Sequence, residues 1–244
     1  MKTELALLVL CMLSAAALDQ TYVQTVERDG SSIIEKTSDL GLLSTELNFG
    51  AFERMAEVCS GSAELDCSVD VEGKTVILRD SFQSNGHYSY ESEYGLPFTT
   101  HTLTIESIPT DRFSRLMDRL FDEADATGMP ASSVSPLYLR DKEQNREGAE
   151  LLRQVGVTII YTVEVPSGIS EAYAGEVIAT IDGNTATFDL VEVLEASEPM
   201  VVKSSELNYS YIILAGGIIV LAALAWSFMS SQPKPEKPQK KRRK

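Results

Sequence analysis

Short segments in which apolar and polar residues alternate recur along most of the chain. The first, residues 21–28, alternates up to Asp29-Gly30, and the pattern resumes in residues 31–36. Alternation has the period of a β-strand, and Asp-Gly between two such segments is a strong hairpin signal. The pattern therefore predicts a β-hairpin near the start of the chain.

The same pattern predicts further strands. Residues 65–71 and Thr75–Phe82 predict a second hairpin across Glu72-Gly73. The other predicted strands are Tyr88–Tyr94, 99–108, 155–165, 176–181 and 185–191 on either side of the turn 182–184, and 200–203. Short strands joined by tight turns favour a mainly antiparallel sheet built from hairpins.

A helical spacing replaces the alternation after residue 44. Ser44-Thr45 precedes a stripe that predicts a helix ending near Gly61. The apolar positions of this stripe are residues 47, 49, 52, 55, 56 and 59.

Two more helices are predicted downstream. Thr110-Asp111 is predicted to cap the first of them. Its apolar stripe should pack on the sheet, because leaving each such side chain in water costs about 1.5–3 kcal/mol. The stripe consists of Phe113, Leu116, Met117, Leu120 and Phe121. After a loop at residues 128–136, residues 142–154 predict a polar helix anchored by Leu151 and Leu152.

No repeat or low-complexity linker divides residues 18–208, which predicts one domain large enough to bury a core. The fold class expected is α+β: a curved, mainly antiparallel sheet of β-hairpins packed with two or three helices, plus one C-terminal transmembrane helix.

An uncharged stretch, residues 212–229, lies near the carboxyl end. At about 1.5 Å per residue, a helix of this length crosses the hydrocarbon core of a bilayer. We predict a transmembrane helix over residues 209–230, surrounded by the lipid bilayer. Aromatic side chains favour the membrane interface, so Tyr211 is expected at its outer end and Trp226 and Phe228 at its inner end.

The chain closes with a proline-rich basic tail, residues 231–244, whose composition predicts disorder. Basic residues next to a membrane span stay on the cytoplasmic side. The tail is therefore predicted to be cytoplasmic. The residues that set this orientation are Lys240, Lys241, Arg242, Arg243 and Lys244.

Residues 1–17 have the features of a signal peptide. Lys2 precedes an apolar segment that is too short to span a membrane, and small residues ending at Ala17 offer a cleavage site. An uncleaved anchor is the alternative. In both cases residues 18–208 are predicted to be extracytoplasmic, in a single-pass protein of the cell membrane.

The sequence has 36 acidic and 21 basic residues, a net charge of −15. Seven of the basic residues lie in the tail, so the extracytoplasmic domain is more acidic still. Phosphate contacts need clustered Lys and Arg, which excludes nucleic acid as a partner of this domain. A solvated acidic surface, attraction for divalent cations and adaptation to a salty medium all fit the charge.

Cys59 and Cys67 remain after Cys11 is removed with the signal peptide. In an oxidising compartment two such cysteines form one local disulfide, here between the end of a helix and the following strand. The two histidines, His87 and His101, are too few for a local Cys/His zinc site, so no metal site is predicted.

Other candidate chemistry is sparse. Asp118, Asp122, Glu123 and Asp125 form a carboxylate cluster without the spacing of a calcium loop, and a solvated helix face is the interpretation. The sequence has no nucleophile elbow, no His-Glu-x-x-His and no glycine-rich phosphate loop. We therefore predict no enzymatic activity and no cofactor, while two unmarked carboxylates stay open as an acid–base pair.

The last part of the domain has a recognisable order of strands and turns. A predicted strand ends at Pro166, residues 172–175 follow, and the Asp182-Gly183-Asn184 hairpin precedes the membrane span. This order resembles the LppM-like extracytoplasmic domains of prokaryotic envelope proteins. The resemblance implies a sheet curved around helices with a cavity for lipid or glycolipid. The chain departs from that family in lacking a lipobox and in having the polar helix near residue 142, and no binding residue carries over.

Two functions fit these features. One is a membrane-anchored extracytoplasmic binding module for a lipid or another apolar ligand. The other is a structural or assembly component of the cell envelope that acts through protein contacts.

Overall fold

A computed structural model of the protein describes residues 19–41, 50–62, 64–84, 86–125 and 137–230, apart from the side chains of residues 155 and 228–230. The predicted signal peptide, the loop at 128–136 and the basic tail lie outside these ranges. The strands are β1 (Asp19–Val26), β2 (Ser32–Asp39), β3 (Cys67–Asp70), β4 (Thr75–Phe82), β5 (Tyr88–Tyr94), β6 (Phe98–Ile105), β7 (Ser107–Ile108), β8 (Leu137–Tyr138), β9 (Thr158–Glu164), β10 (Ile169–Ala174), β11 (Val177–Ile178), β12 (Thr180–Asp182), β13 (Thr185–Asp189) and β14 (Met200–Leu207). The helices are α1 (Ala51–Gly61), α2 (Thr110–Glu123), α3 (Lys142–Val155), α4 (Leu190–Ala196) and α5 (Tyr209–Ser230).

The chain separates into two compact units. The sheet unit comprises the described residues up to Glu93 together with Thr100–Glu206. The anchor unit comprises Tyr94–Thr99 and the described residues from Leu207 onward. The first contains the hydrophobic core, and the second contains the β5–β6 connection and α5.

The strands form a seven-stranded sheet, in the order β12-β13-β9-β1-β2-β4-β3, and a five-stranded sheet, in the order β11-β10-β14-β6-β5, with β7 and β8 as a separate pair. Most of the paired strands run antiparallel, whereas β1 and β9 are parallel. The α+β fold class is confirmed: hairpins packed with helices, plus one apolar helix at the end. The division of the strands between sheets is a detail that alternation does not encode.

The β1–β2 hairpin is present, but Asp29-Gly30 does not form a two-residue turn. Val26 pairs with Ser32, so five residues connect the strands. The Asp29 carboxylate accepts the Ser31 N–H at 2.9 Å, and Gly30 has a φ of 82°. Glycine adopts this left-handed conformation without steric cost.

The core lies against the inner face of the seven-stranded sheet, where α1, α2 and α4 pack. The ring of Phe113 on α2 lies 6.0 Å from that of Tyr22 and 6.4 Å from that of Phe82. The predicted stripe of α2 is confirmed, since four of its members are buried and Leu116 is partly buried against the core.

The predicted cap of α2 is wrong. The N-cap residue is Pro109, and no side chain accepts an N–H there, because Thr110 is already the first helical residue. Asp111 instead lies in the first turn, where a carboxylate is favoured by the helix dipole, and pairs with Arg115 at 2.9 Å.

Two other helix boundaries differ from the prediction. α1 ends at Gly61 as expected but begins at Ala51, because Gly50 has a φ of 79° that a continuous helix cannot contain; residues 42–49 lie outside the described residues. Residues 190–191, predicted as strand, begin α4 instead. The Asp189 side chain caps this helix by accepting the Val191 N–H at 2.9 Å.

The polar helix α3 is present, but its predicted anchor is only half right. Leu152 is buried together with Ala149 and Asn145, whereas Leu151 is only partly buried. The Asn145 side-chain amide donates to the Leu139 carbonyl at 2.9 Å, so a polar residue also fixes this helix.

Replacing Phe113 with alanine should lower the free energy of unfolding by about 3–5 kcal/mol, because it empties a fully buried site between Tyr22 and Phe82. Denaturant unfolding of the full chain in detergent, followed by near-ultraviolet circular dichroism of the tyrosines, measures it. Asp122→Ala, at an exposed position of the same helix, is the control and should change stability by less than about 0.5 kcal/mol. Equal effects of the two substitutions would contradict this packing.

Candidate functional site

The two cysteines lie at bonding distance. The sulfur atoms of Cys59 on α1 and Cys67 at the start of β3 are 1.97 Å apart, with the Cα atoms 5.3 Å apart. The disulfide agrees with the pairing predicted from the sequence, and it joins the end of α1 to the outermost strand of the seven-stranded sheet.

Helix α5 is long and apolar enough to cross a membrane over Tyr209–Ser227, and none of that segment is buried. Within the described ranges it is the one helix that meets this condition. Tyr211 lies in its first turn and Trp226 and Phe228 near its end. Their location at the outer and inner membrane interfaces stays a prediction. The predicted orienting residues Lys240, Lys241, Arg242, Arg243 and Lys244 lie outside the described residues.

Each of the two histidines makes its own local contacts. His87 Nδ1 lies 2.8 Å from Ser107 Oγ, and burial lowers the pKa of His87, opposed by Asp111 and assisted by Arg112. The ring of His101 on β6 stacks on that of Tyr90, 5.5 Å away.

The predicted carboxylate cluster lies along the end of α2. Asp122, Glu123 and Asp125 are exposed, and Glu123 accepts a hydrogen bond from Arg119 at 2.6 Å. No group of three or more His, Cys, Asp or Glu side chains suited to a metal ion occurs in the described part of the chain.

A groove between α3 and α4 is lined by charged side chains of both signs. Arg153 pairs with Glu195 across it at 2.5 Å, and Arg146 and Glu150 line the same groove. Such a surface does not suit an apolar ligand.

A polar cluster that sequence reasoning missed lies on the inner face of the seven-stranded sheet. Its members are buried polar residues of β1, β2 and β9 that point toward the core: Gln20, Tyr22, Gln24, Ser32, Lys36, Ser38 and Tyr161. We call this set the inner polar cluster. It shares the sheet face with Val26, Ile34 and Leu40, which are also buried.

Hydrogen bonds connect part of this cluster. The Tyr161 hydroxyl donates to Gln24 Oε1 at 2.8 Å, and Gln24 Nε2 donates to Ser32 Oγ at 3.2 Å. The Tyr22 hydroxyl donates to Gln20 Oε1 at 3.2 Å. These bonds offset the cost of burying the polar groups that they join.

Lys36 is the charged member of the cluster and is 6 % exposed. It lies directly across the strand pair from Tyr22, and its ammonium is 5.6 Å from the centre of that ring. None of the described carboxylates lies within ion-pair distance of it. Burial therefore lowers the pKa of Lys36 to about 8.

Two further features mark this region. The hydroxyl of Ser38, two residues from Lys36 on the same face, is buried without a hydrogen-bond partner. Burial also raises the pKa values of Tyr22 and Tyr161. Buried polar groups are usually paired, so an amine that is easily deprotonated and an unpaired hydroxyl make this the best-supported candidate for a ligand site in the sheet unit.

The sequence pattern carried no clear signal for this cluster. Both faces of β2 mix apolar and polar residues: Ile33 points outward and is 47 % exposed, while Lys36 points inward. Only the pairing of the strands decides which set is buried.

No protein-family model, no curated protein and no solved structure matches this chain. The resemblance to LppM-like domains therefore stays a prediction.

Replacing Lys36 with methionine should raise the free energy of unfolding at pH 7. Because the pKa of Lys36 falls from 10.5 to about 8 on folding, its burial penalty acts fully below pH 8. Between pH 8 and 10.5 the unfolded chain binds more protons than the folded one, so the stability of the native sequence rises with pH and the advantage of the variant disappears. The stability advantage of Lys36→Met over the native protein should therefore shrink by roughly 3 kcal/mol across this pH range, since one pKa unit corresponds to about 1.4 kcal/mol.

Unfolding of both proteins at pH 7, 8, 9 and 10 measures this. Tyr22 and Tyr161 titrate in both proteins, so their contribution cancels in the difference. Lys142→Met, at the exposed start of α3, is the matched control and should change stability by less than about 0.5 kcal/mol across this range. A difference between Lys36→Met and the native protein that does not depend on pH would refute a buried, uncompensated Lys36.

Proposed function

We propose that this protein is a single-pass membrane protein whose sheet unit is an extracytoplasmic binding module. The observation that carries the proposal is α5, an uncharged helix whose span Tyr209–Ser227 is nowhere buried. The basic residues 240–244 follow it in the sequence and favour a cytoplasmic tail. Residues 1–17, with the pattern of a signal peptide, support export of the sheet unit.

We propose that the ligand is a lipid or another apolar molecule with an anionic group. Support comes from the inner polar cluster. The Lys36 ammonium faces the Tyr22 ring with no described carboxylate at ion-pair distance, and the Ser38 hydroxyl is buried without a hydrogen-bond partner. An anionic head group would pair with Lys36, and the buried apolar side chains of Val26, Ile34 and Leu40 share its face of the sheet. The resemblance to LppM-like domains, for which a lipid cavity is proposed, supports the same ligand class. The proposal assigns no reaction to the sheet unit.

A structural or assembly role in the cell envelope is the second candidate. Ile178 on β11 and Ile181 on β12 are 82 % and 39 % exposed, and these strands end their respective sheets. An edge strand with exposed apolar side chains can pair with another chain.

Orientation is tested with protease on sealed cells that carry the full chain with an epitope at its carboxyl end. The expected result is loss of the sheet unit and survival of the epitope, because only the exported part is accessible. Permeabilised cells, in which both are digested, are the control. Survival of the sheet unit with loss of the epitope would mean that the orientation is reversed.

The ligand is tested by lipid mass spectrometry of the purified full chain. We expect an anionic lipid in stoichiometric amount with the native protein, and its loss in Lys36→Met, because the variant removes the cation that would hold the head group. Lys142→Met should retain the lipid, which separates a specific ligand from lipid around α5. Identical lipid in all three proteins would contradict the ligand proposal, and oligomers recovered by cross-linking in intact membranes would then favour the assembly role.

A further inference from the structure

The connection between β5 and β6 presents three large exposed hydrophobic side chains. Tyr94 is 82 % exposed, Leu96 is 71 % exposed and Phe98 is 50 % exposed. We call residues Tyr94–Thr99 the tip. Clusters of exposed apolar side chains on a soluble surface are unusual and mark contact sites.

The tip belongs to the same compact unit as α5 and is hydrogen-bonded to it. The N–H of Asn208, the residue before α5, donates to the Pro97 carbonyl at 2.9 Å. Asn208 also caps the helix, since its backbone carbonyl accepts the Tyr211 N–H at 3.0 Å and its side-chain oxygen lies 3.4 Å from the same nitrogen. The tip therefore lies at the point where the apolar span begins.

The shape of the tip is fixed by its own backbone. The Gly95 N–H donates to the Phe98 carbonyl at 3.0 Å, and a Cβ at Gly95 would lie 2.8 Å from that oxygen, so a side chain does not fit there. Pro97 has no N–H to satisfy. One backbone N–H of the tip is therefore paired and another is absent, which lowers the cost of moving the tip out of bulk water.

The charges of the chain stop at the borders of this unit. Its described residues include no Asp, Glu, Lys or Arg, in a chain with 36 acidic and 21 basic residues. Glu93 and Glu206 are the residues immediately before the tip and before Leu207. Tyr94, Tyr209 and Tyr211 lie near the same borders, and tyrosine prefers the membrane–water interface.

We propose that the tip inserts into the interface of the outer leaflet of the bilayer that α5 spans, as a second membrane contact that does not cross the membrane. The occupant is lipid because the tip is continuous with the start of the span and is uncharged. Irregular backbone is not stable in the hydrocarbon region, so the tip lies at the level of the head groups. This inference depends on the proposed membrane span, but not on the lipid ligand or the inner polar cluster.

Tryptophan fluorescence in phospholipid vesicles tests the proposal, because Trp226 is the one tryptophan of the chain. Leu96→Trp in a Trp226→Phe background places the single tryptophan in the tip. We expect a blue-shifted emission that is quenched by lipids brominated near the head group and protected from aqueous acrylamide. Phe98→Trp in the same background is a second reporter and should behave alike.

Ile178→Trp with Trp226→Phe is the matched control, since Ile178 is equally apolar and 82 % exposed but belongs to the sheet unit. It should be quenched by acrylamide and not by brominated lipid. Water-exposed tryptophan at both tip positions would overturn the proposal and favour a protein as the partner of the tip. Equal lipid quenching at position 178 would also overturn it, because it would indicate adsorption of the whole domain.

The native protein separates this failure from failure of the span. Quenching of Trp226 by lipids brominated near the head group, the depth predicted for the inner end of the span, reports insertion of α5. If Trp226 is quenched and the tip is not, only the tip proposal is lost. If Trp226 is not quenched either, the membrane span itself is wrong.

Discussion

The parallel pairing of β1 with β9 is the contact on which the sheet unit depends. It places the amino-terminal hairpin beside a strand from the second half of the chain, so that Tyr22 lies opposite Tyr161 with the rings 5.9 Å apart. From this pair the sheet continues through β2 to β4 on the side of β1, and through β13 to β12 on the side of β9. Without it the seven-stranded sheet would divide into two small hairpin layers, each with one apolar face open to water, and neither could bury a sufficient core.

The features that the sequence predicted well depend on residues close together in the chain. The hairpins and the stripe of α2 follow from the spacing of apolar residues that one buried face requires, and the span α5 follows from a continuous apolar run that a bilayer requires. The disulfide between Cys59 and Cys67 belongs to the same class, because helix and strand are adjacent in sequence. The boundaries that were missed, at Gly50, Thr110 and Leu190, are decided by single backbone conformations or caps.

The features that the sequence did not predict depend on pairing over long distances. The strands β1 and β9 are parallel and are not joined by a tight turn, so no short sequence motif predicts their pairing. A strand with polar residues on both faces does not show which face is buried. The inner polar cluster could not be predicted for both of these reasons, since its tyrosines come from β1 and β9 and its lysine from β2. The tip did have a signal, an uncharged segment between Glu93 and His101 in an acidic chain, but its link to α5 is a tertiary hydrogen bond.

The cost of burying Lys36 bears on what the sheet unit does. The surrounding core consists of tyrosine, phenylalanine and aliphatic side chains, and an apolar residue at position 36 would leave no charge to desolvate. A residue that lowers the stability of the fold, as Lys36 does, is expected at a position that serves function rather than packing. Tyr22 alone does not compensate the ammonium, since a cation–π contact contributes about 2 kcal/mol when desolvated, no more than part of the penalty of removing a lysine from water. An anionic group bound at Lys36, as proposed above, would offset this penalty. The proposed ligand is therefore assigned to the inner face of this sheet rather than to the polar groove between α3 and α4.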